Sequence, residues 1–98
     1  MQKWVVHYGK LEYCGTLVRS GTSIGANIQE ALNGQSRRDF LAKMNIALKE
    51  AGETQYWIRL FAATDILTET ESESILHDCT ELVKMLTSIV KTTSSDLK

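Results

Sequence analysis

The sequence predicts an all-α fold: an antiparallel, up-down helical bundle of four-helix type, with the first helix largely missing or reduced to a stub. Three observations carry this. Apolar residues recur at spacings of three and four along three long stretches, the period of helices that bury one face. Proline is absent from all 98 residues, so no helix is broken from within by a missing N–H. Only short polar segments separate the stretches, which makes consecutive helices antiparallel neighbours.

Along the chain, residues 1–13 place Trp4, Val5, Tyr8 and Leu11 at helical spacing, and Gly9 is expected to break this piece into a stub. The next stretch aligns Leu17, Gly21, Ile24, Ile28 and Ala31 as a seam, with Ser20, Ser23, Asn27 and Glu30 in a polar row beside it. Its segment SGTSIGAN is poor in helix formers, glycine alone costing about 1 kcal/mol against alanine. Packing is expected to compensate, with Gly21 and Gly25 one turn apart as close-approach positions for another helix. Asn, Gly and Ser make 33–36 a loop. The middle helix is expected over residues 37 to about 64, capped by Ser36 with Asp39. Its stripe is Phe40, Met44, Ala47, Ala51, Ile58 and Ala62. Ile46, Trp57, Leu60 and Phe61 widen that stripe, so this helix is either central or meets another subunit. Residues 65–68 form the second turn. The last helix carries Ile75, Cys79, Leu82, Leu86 and Ile89, flanked by Leu76, Val83 and Val90. Thr68 with Glu71 and Thr70 with Glu73 both fit a capping box at its start, where the acidic run suits the helix dipole. The tail TTSSDLK is expected to fray, over 93–98 above all.

Composition bounds the function. The length fits one domain over 1–98, and 43% apolar residues support a packed core rather than disorder. A net charge of −1 carries no global signature for nucleic acid or membrane, so such binding would need a local patch. Cys14 and Cys79 are too few and too far apart for a disulfide framework or zinc site, and read as thiols of a reducing cytoplasm, with a single disulfide as the alternative. The amino terminus lacks a signal peptide's apolar core, and no apolar run reaches the roughly 18 residues of a membrane span. A cytoplasmic protein without a membrane partner is expected. No glycine-rich phosphate loop, nucleophile elbow, zinc motif or Glu-x-x-His pair occurs, so no cofactor, metal or small-molecule substrate is expected and an enzyme is the least supported class.

Candidate functional residues are polar groups near apolar seams. Arg19, Ser20, Ser23, Asn27 and Glu30 lie on adjoining faces of one helix, and Glu50 projects near Trp57 on the next. Such groups need partners, because an unpaired buried charge is costly. They read as a network that fixes helix register or a subunit contact, with a ligand or RNA contact as the alternative. Arg37 and Arg38 open the middle helix at the end where the dipole disfavours cations, and Lys43 follows a turn later. A phosphate there would meet N–H groups and guanidinium forks; the plain alternative is solvated arginines. His77 lies four residues from both Glu73 and Glu81, which fits solvated helix charge better than a metal site. Trp4, Tyr8, Tyr56 and Trp57 fit core or interface better than base stacking.

Three segments carry a resemblance. LVRSGTSIGANIQEAL, GQSRRDFLAKMNIALKEAGETQYWIRLF and ILHDCTELVKMLTSIVKT closely resemble the small bacterial four-helix-bundle proteins encoded in 23S rRNA intervening sequences, over residues 17–92. The resemblance implies an up-down four-helix bundle that assembles as a homopentameric ring. The accessory protein of diversity-generating retroelements looks like a relative; it is basic and binds nucleic acid and a reverse transcriptase. This chain departs by starting too late for a full first helix, whose loss is expected to leave an apolar groove in a monomer unless the stub fills the gap, and by its mildly acidic charge. The expected function is a non-enzymatic homo-oligomeric assembly or adaptor protein whose partners are itself and RNA or the ribosome. The alternatives are a purely structural oligomer and a nucleic-acid-binding accessory to a reverse transcriptase.

Overall fold

The structure, a computed structural model, describes residues 3–97, with the side chains of 12, 13 and 15–97. It contains α1 (Lys3–Leu32), α2 (Arg37–Ala63) and α3 (Glu69–Asp96), and no strand among the described residues. The expected stub is corrected: α1 runs unbroken through Gly9 for 30 residues. One glycine costs about 1 kcal/mol of propensity, which does not end a helix whose flanks continue it. The side chains of Trp4, Tyr8 and Cys14 lie outside the described residues.

Local chemistry sets the other boundaries. Ser36 Oγ accepts the Asp39 N–H at 3.1 Å and starts α2. Thr68 rather than Thr70 starts α3. Its Oγ1 accepts the Glu71 N–H at 3.1 Å, and the Glu71 carboxylate accepts the Thr68 N–H at 2.9 Å. At the end of α2, Asp65 takes a left-handed φ of 63°. Its N–H donates to the Ala62 carbonyl and that of Ile66 to the Phe61 carbonyl, a Schellman ending. The expected fraying of the tail is corrected too: α3 continues to Asp96, and Thr93 is buried.

The helices alternate in direction. Glu30 at the end of α1 pairs with Lys43 near the start of α2, while Tyr13 early in α1 meets Phe61 late in α2. Arg37 at the start of α2 reaches Asp96 at the end of α3. The central position therefore belongs to α2, which packs against both neighbours, whereas α1 and α3 make no close backbone approach to each other among the described residues. Small residues permit this: Ala47 and Ala51 are fully buried, and Ile24 and Ala31 from α1 and Leu86 from α3 close over them with Met44. A second cluster, Tyr13, Ile58, Ile66, Leu67 and Cys79, seals the end at the α2–α3 turn. Along α3, Ser72, Cys79, Leu86 and Thr93 repeat every seven residues on the buried line. The result is an elongated three-helix slab of 54 × 19 × 14 Å.

Candidate functional site

The three-helix slab has two different broad sides. On the front, α1 and α3 rise on either side of α2 and leave a groove between them. On the back, α2 is the exposed ridge. Helical phase assigns the residues. In α1, Gly21, Gly25 and Leu32 lie out of phase with the buried Ile24 and Ala31, on the side that faces the groove. Val18 and Leu32 are 68% and 65% exposed. Met85, 60% exposed, lies on the opposite lip, beside the half-buried Leu82 and Ile89.

The glycine expectation is corrected here. Gly21 and Gly25 are not close-approach positions within the chain, since a Cβ at either would meet nothing within 4 Å among the described residues. Gly21 therefore sits outside the intrachain seam that Leu17, Ile24, Ile28 and Ala31 form.

The back carries Ile46, Tyr56, Trp57 and Leu60, all exposed. Trp57 stacks on Phe61 with centroids 6.3 Å apart and meets Tyr56 edge-on at 5.3 Å. The two explanations for the wide apolar surface of α2 are thus separable. Its stripe from Met44 to Ile58 is wide because the helix is central, while Ile46, Tyr56, Trp57 and Leu60 stay partly exposed, from 37% to 59%.

Among the polar residues, Arg19 and Asn27 bond within their own helix, while Glu30 joins α1 to α2 through Lys43. Arg19 is exposed and its guanidinium donates to Thr16 Oγ1 at 3.3 Å. Asn27 donates to the Ser23 carbonyl at 2.8 Å, within its own helix. Glu30 pairs with Lys43 at 2.7 Å. Ser20, Ser23 and Glu50 are half-buried, and the Glu50 carboxylate has no ion-pair partner among the described residues. These groups line the back of the α1–α2 junction, beside Ile46 and Trp57, rather than a sealed seam.

The basic residues are similarly divided. The Arg37 guanidinium donates to Asp96 at 3.0 Å, and Lys43 is held by Glu30. Arg38 is exposed and has no carboxylate partner among the described residues. Beside Arg37 lies an open cleft of about 490 Å³, lined by Leu32, Gly34, Ser36, Phe40 and Thr93 among others. The positive end of α2 is already answered by Ser36, Asp39 and Asp96. Sequence reasoning missed this because Asp96 is 59 residues from Arg37. It also missed Val18, Leu32 and Met85 as exposed apolar residues; their phase, out of step with each seam, was the signal.

His77 is exposed, and no group of three or more metal-ligating side chains exists among the described residues. Burial pushes the Cys79 thiol above its ordinary pKa, an effect the nearby Arg59 partly opposes. No described helix is long and apolar enough to cross a membrane.

A crystal structure from Bacteroides thetaiotaomicron VPI-5482, of a protein with unknown function from the S23 ribosomal protein family, is similar to this chain. The two share 54% sequence identity with a TM-score of 0.76, over 81% of this chain and 73% of that one. No curated protein matches the chain. The family model for the 23S rRNA-intervening sequence protein matches residues 7–88. That match spans most of the length, including the half-buried serines and asparagine of α1, the ridge of α2 and the first two-thirds of α3. The chain belongs to the 23S rRNA-intervening sequence protein family.

Proposed function

We propose that this chain is a non-enzymatic assembly or adaptor protein whose working form is a homo-oligomer, in the five-membered ring that the resemblance implies. The observation that carries this reading is the pair of partly exposed apolar faces on opposite sides of the slab. Val18, Leu32 and Met85 lie on one, and Ile46, Tyr56, Trp57 and Leu60 on the other. Exposed apolar patches rimmed by polar residues mark association surfaces, and a three-helix slab has too little interior to cover both of its own faces. Light scattering coupled to sizing tests the proposal. A particle several times the 11.0 kDa chain mass is expected, and a monomer at every concentration would overturn it.

A second reading, contact with RNA, draws on the family's link to 23S rRNA intervening sequences and on the basic end of α2. Arg38 is available there, and exposed pairs such as Arg37–Asp96 and Lys43–Glu30 are worth only about 0–1 kcal/mol, so a phosphate can displace their carboxylates. In a ring, a patch this small would be repeated and would gain by avidity. Titration with a structured rRNA fragment across a salt series is expected to show binding that weakens steeply with salt. The slope should shrink in Arg37→Ala/Arg38→Ala. Absence of binding at low salt leaves the purely structural oligomer.

A further inference from the structure

We propose that the back ridge of α2 pairs with the same ridge of a second copy, antiparallel across a two-fold axis beside Ala51. This inference rests on the self-assembly reading and names a contact that a ring alone does not contain. A two-fold contact joins copies in pairs and cannot by itself run round five members.

The ridge carries a seam. On the side of α2 turned away from the buried Met44, Ala51 and Ile58, six residues follow at spacings of four, three, four, three and four. They are Ala42, Ile46, Lys49, Glu53, Tyr56 and Leu60, and all are exposed. This is the period at which two helices interlock as a coiled coil. From Ala42 to Leu60 the seam rises about 27 Å.

The seam is its own complement. Ala42 and Leu60 lie nine residues either side of Ala51, Ile46 and Tyr56 five, and Lys49 and Glu53 two. An antiparallel copy aligned on Ala51 therefore sets the small Ala42 against the large Leu60, Ile46 against Tyr56, and Lys49 against Glu53. Symmetry makes each layer twice. Other alignments fail on charge. A parallel copy opposes Lys49 to a second Lys49 and Glu53 to a second Glu53. A slip of one heptad opposes Lys49 to Ile46 in one direction and to Leu60 in the other, which leaves its ammonium without a counter-charge.

The two charges have no competing partner. Neither Lys49 nor Glu53 makes an ion pair among the described residues. They stand four apart in one helix with the lysine first, the less favourable order for pairing with each other. Gly52 flanks the crossing point on the side of α2 toward α3, where a Cβ would meet nothing within 4 Å among the described residues. Close approach on that flank keeps Glu50, on the flank toward α1, apart from its two-fold mate.

Charge reversal in the full chain tests this. Lys49→Glu alone and Glu53→Lys alone each put like charges in the central layer, and each is expected to weaken self-association at least tenfold in sedimentation. The double variant Lys49→Glu/Glu53→Lys swaps every pair and is expected to restore it. An equimolar mixture of the two single variants is expected to form 1:1 pairs, because reversed then faces reversed and native faces native. Both residues are exposed, and an unchanged helical circular dichroism signal reports retention of the fold. Single variants that associate like the wild type, or a loss rescued neither by the double variant nor by mixing, would overturn the two-fold ridge and leave the self-assembly reading standing. Monomeric wild-type protein would instead overturn the self-assembly reading itself. Cross-linking in a Cys14→Ser/Cys79→Ala background checks direction. Ile46→Cys mixed with Tyr56→Cys is expected to give a disulfide-linked pair, and neither variant alone, since like positions lie about 15 Å apart along the axis. Linkage by Ile46→Cys alone would show parallel pairing, and the inference falls.

Discussion

At the scale of single residues, burial decides which side chains matter. Ile58 is fully buried at the junction of the three helices near the α2–α3 turn. Ile58→Ala removes its transfer energy and leaves a cavity, so a loss of about 2–5 kcal/mol is expected in urea unfolding. Cys79 makes a pH-dependent contribution. Burial raises its pKa, Arg59 lowers it by less, and its thiol donates to the Ala51 carbonyl at 3.4 Å. Above the ordinary thiol pKa of about 8.5, the unfolded chain ionises while the folded chain still holds the proton. Its contribution is therefore complete below that pH and is lost as pH rises through the raised folded value. The unfolding midpoint should fall on that alkaline side, and the fall should be shallower in Cys79→Ala.

At the scale of the element, caps carry the boundaries. Both halves of the capping box at Thr68 and Glu71 are formed, so Thr68→Ala is expected to cost about 1 kcal/mol, read by thermal unfolding. Asp65 holds a backbone conformation that suits glycine, and Asp65→Gly should relieve up to about 1 kcal/mol of strain. Within α1, the weak helix formers 20–27 are held by packing through Ile24 and Ile28 rather than by propensity. Because a Cβ at Gly21 meets open space in the chain, Gly21→Ala should stabilise the single chain by up to about 1 kcal/mol. The bulkier Gly21→Leu fills part of the groove, and is expected to reduce assembled mass without lowering the stability of the chain. Unchanged mass would separate this face from assembly.

At the scale of the whole molecule, the distribution of charge outweighs its sum. A net charge of −1 conceals unequal edges: Arg38, Lys49 and Arg59 are exposed on α2, and Asp78, with Glu81 paired to Lys84, on α3. If such charges meet between copies, association should weaken as salt rises, since exposed charges are screened beyond about 8 Å at physiological ionic strength. Burial of the apolar faces opposes this loss and keeps the assembly from dissolving altogether. Sedimentation across a salt series reads both effects, and an oligomer indifferent to salt would leave the charged edges without a part in assembly.

Much of this architecture was legible along the chain. Helical period located α2 and the body of α3, the Asn-Gly and Asp-containing segments located the turns, and Ser36 and the Thr68–Glu71 pair located two starts. Such signals are local, set by neighbours three or four residues apart. Gly9 misled because propensity is a small term, outweighed when flanking residues continue the helix. The candidate site was legible only as a list of residue types. Arg19, Ser23, Asn27, Glu50 and Trp57 share an outward face rather than a sealed network, and Arg37 and Lys43 already hold carboxylates from other helices. Apolar period determines how many helices there are and which line each one buries. Which faces stay uncovered depends on the order in which three helices pack. Only the tertiary structure decided that, by placing Ala47 and Ala51 where α1 and α3 could both close on α2 and leave a groove between them.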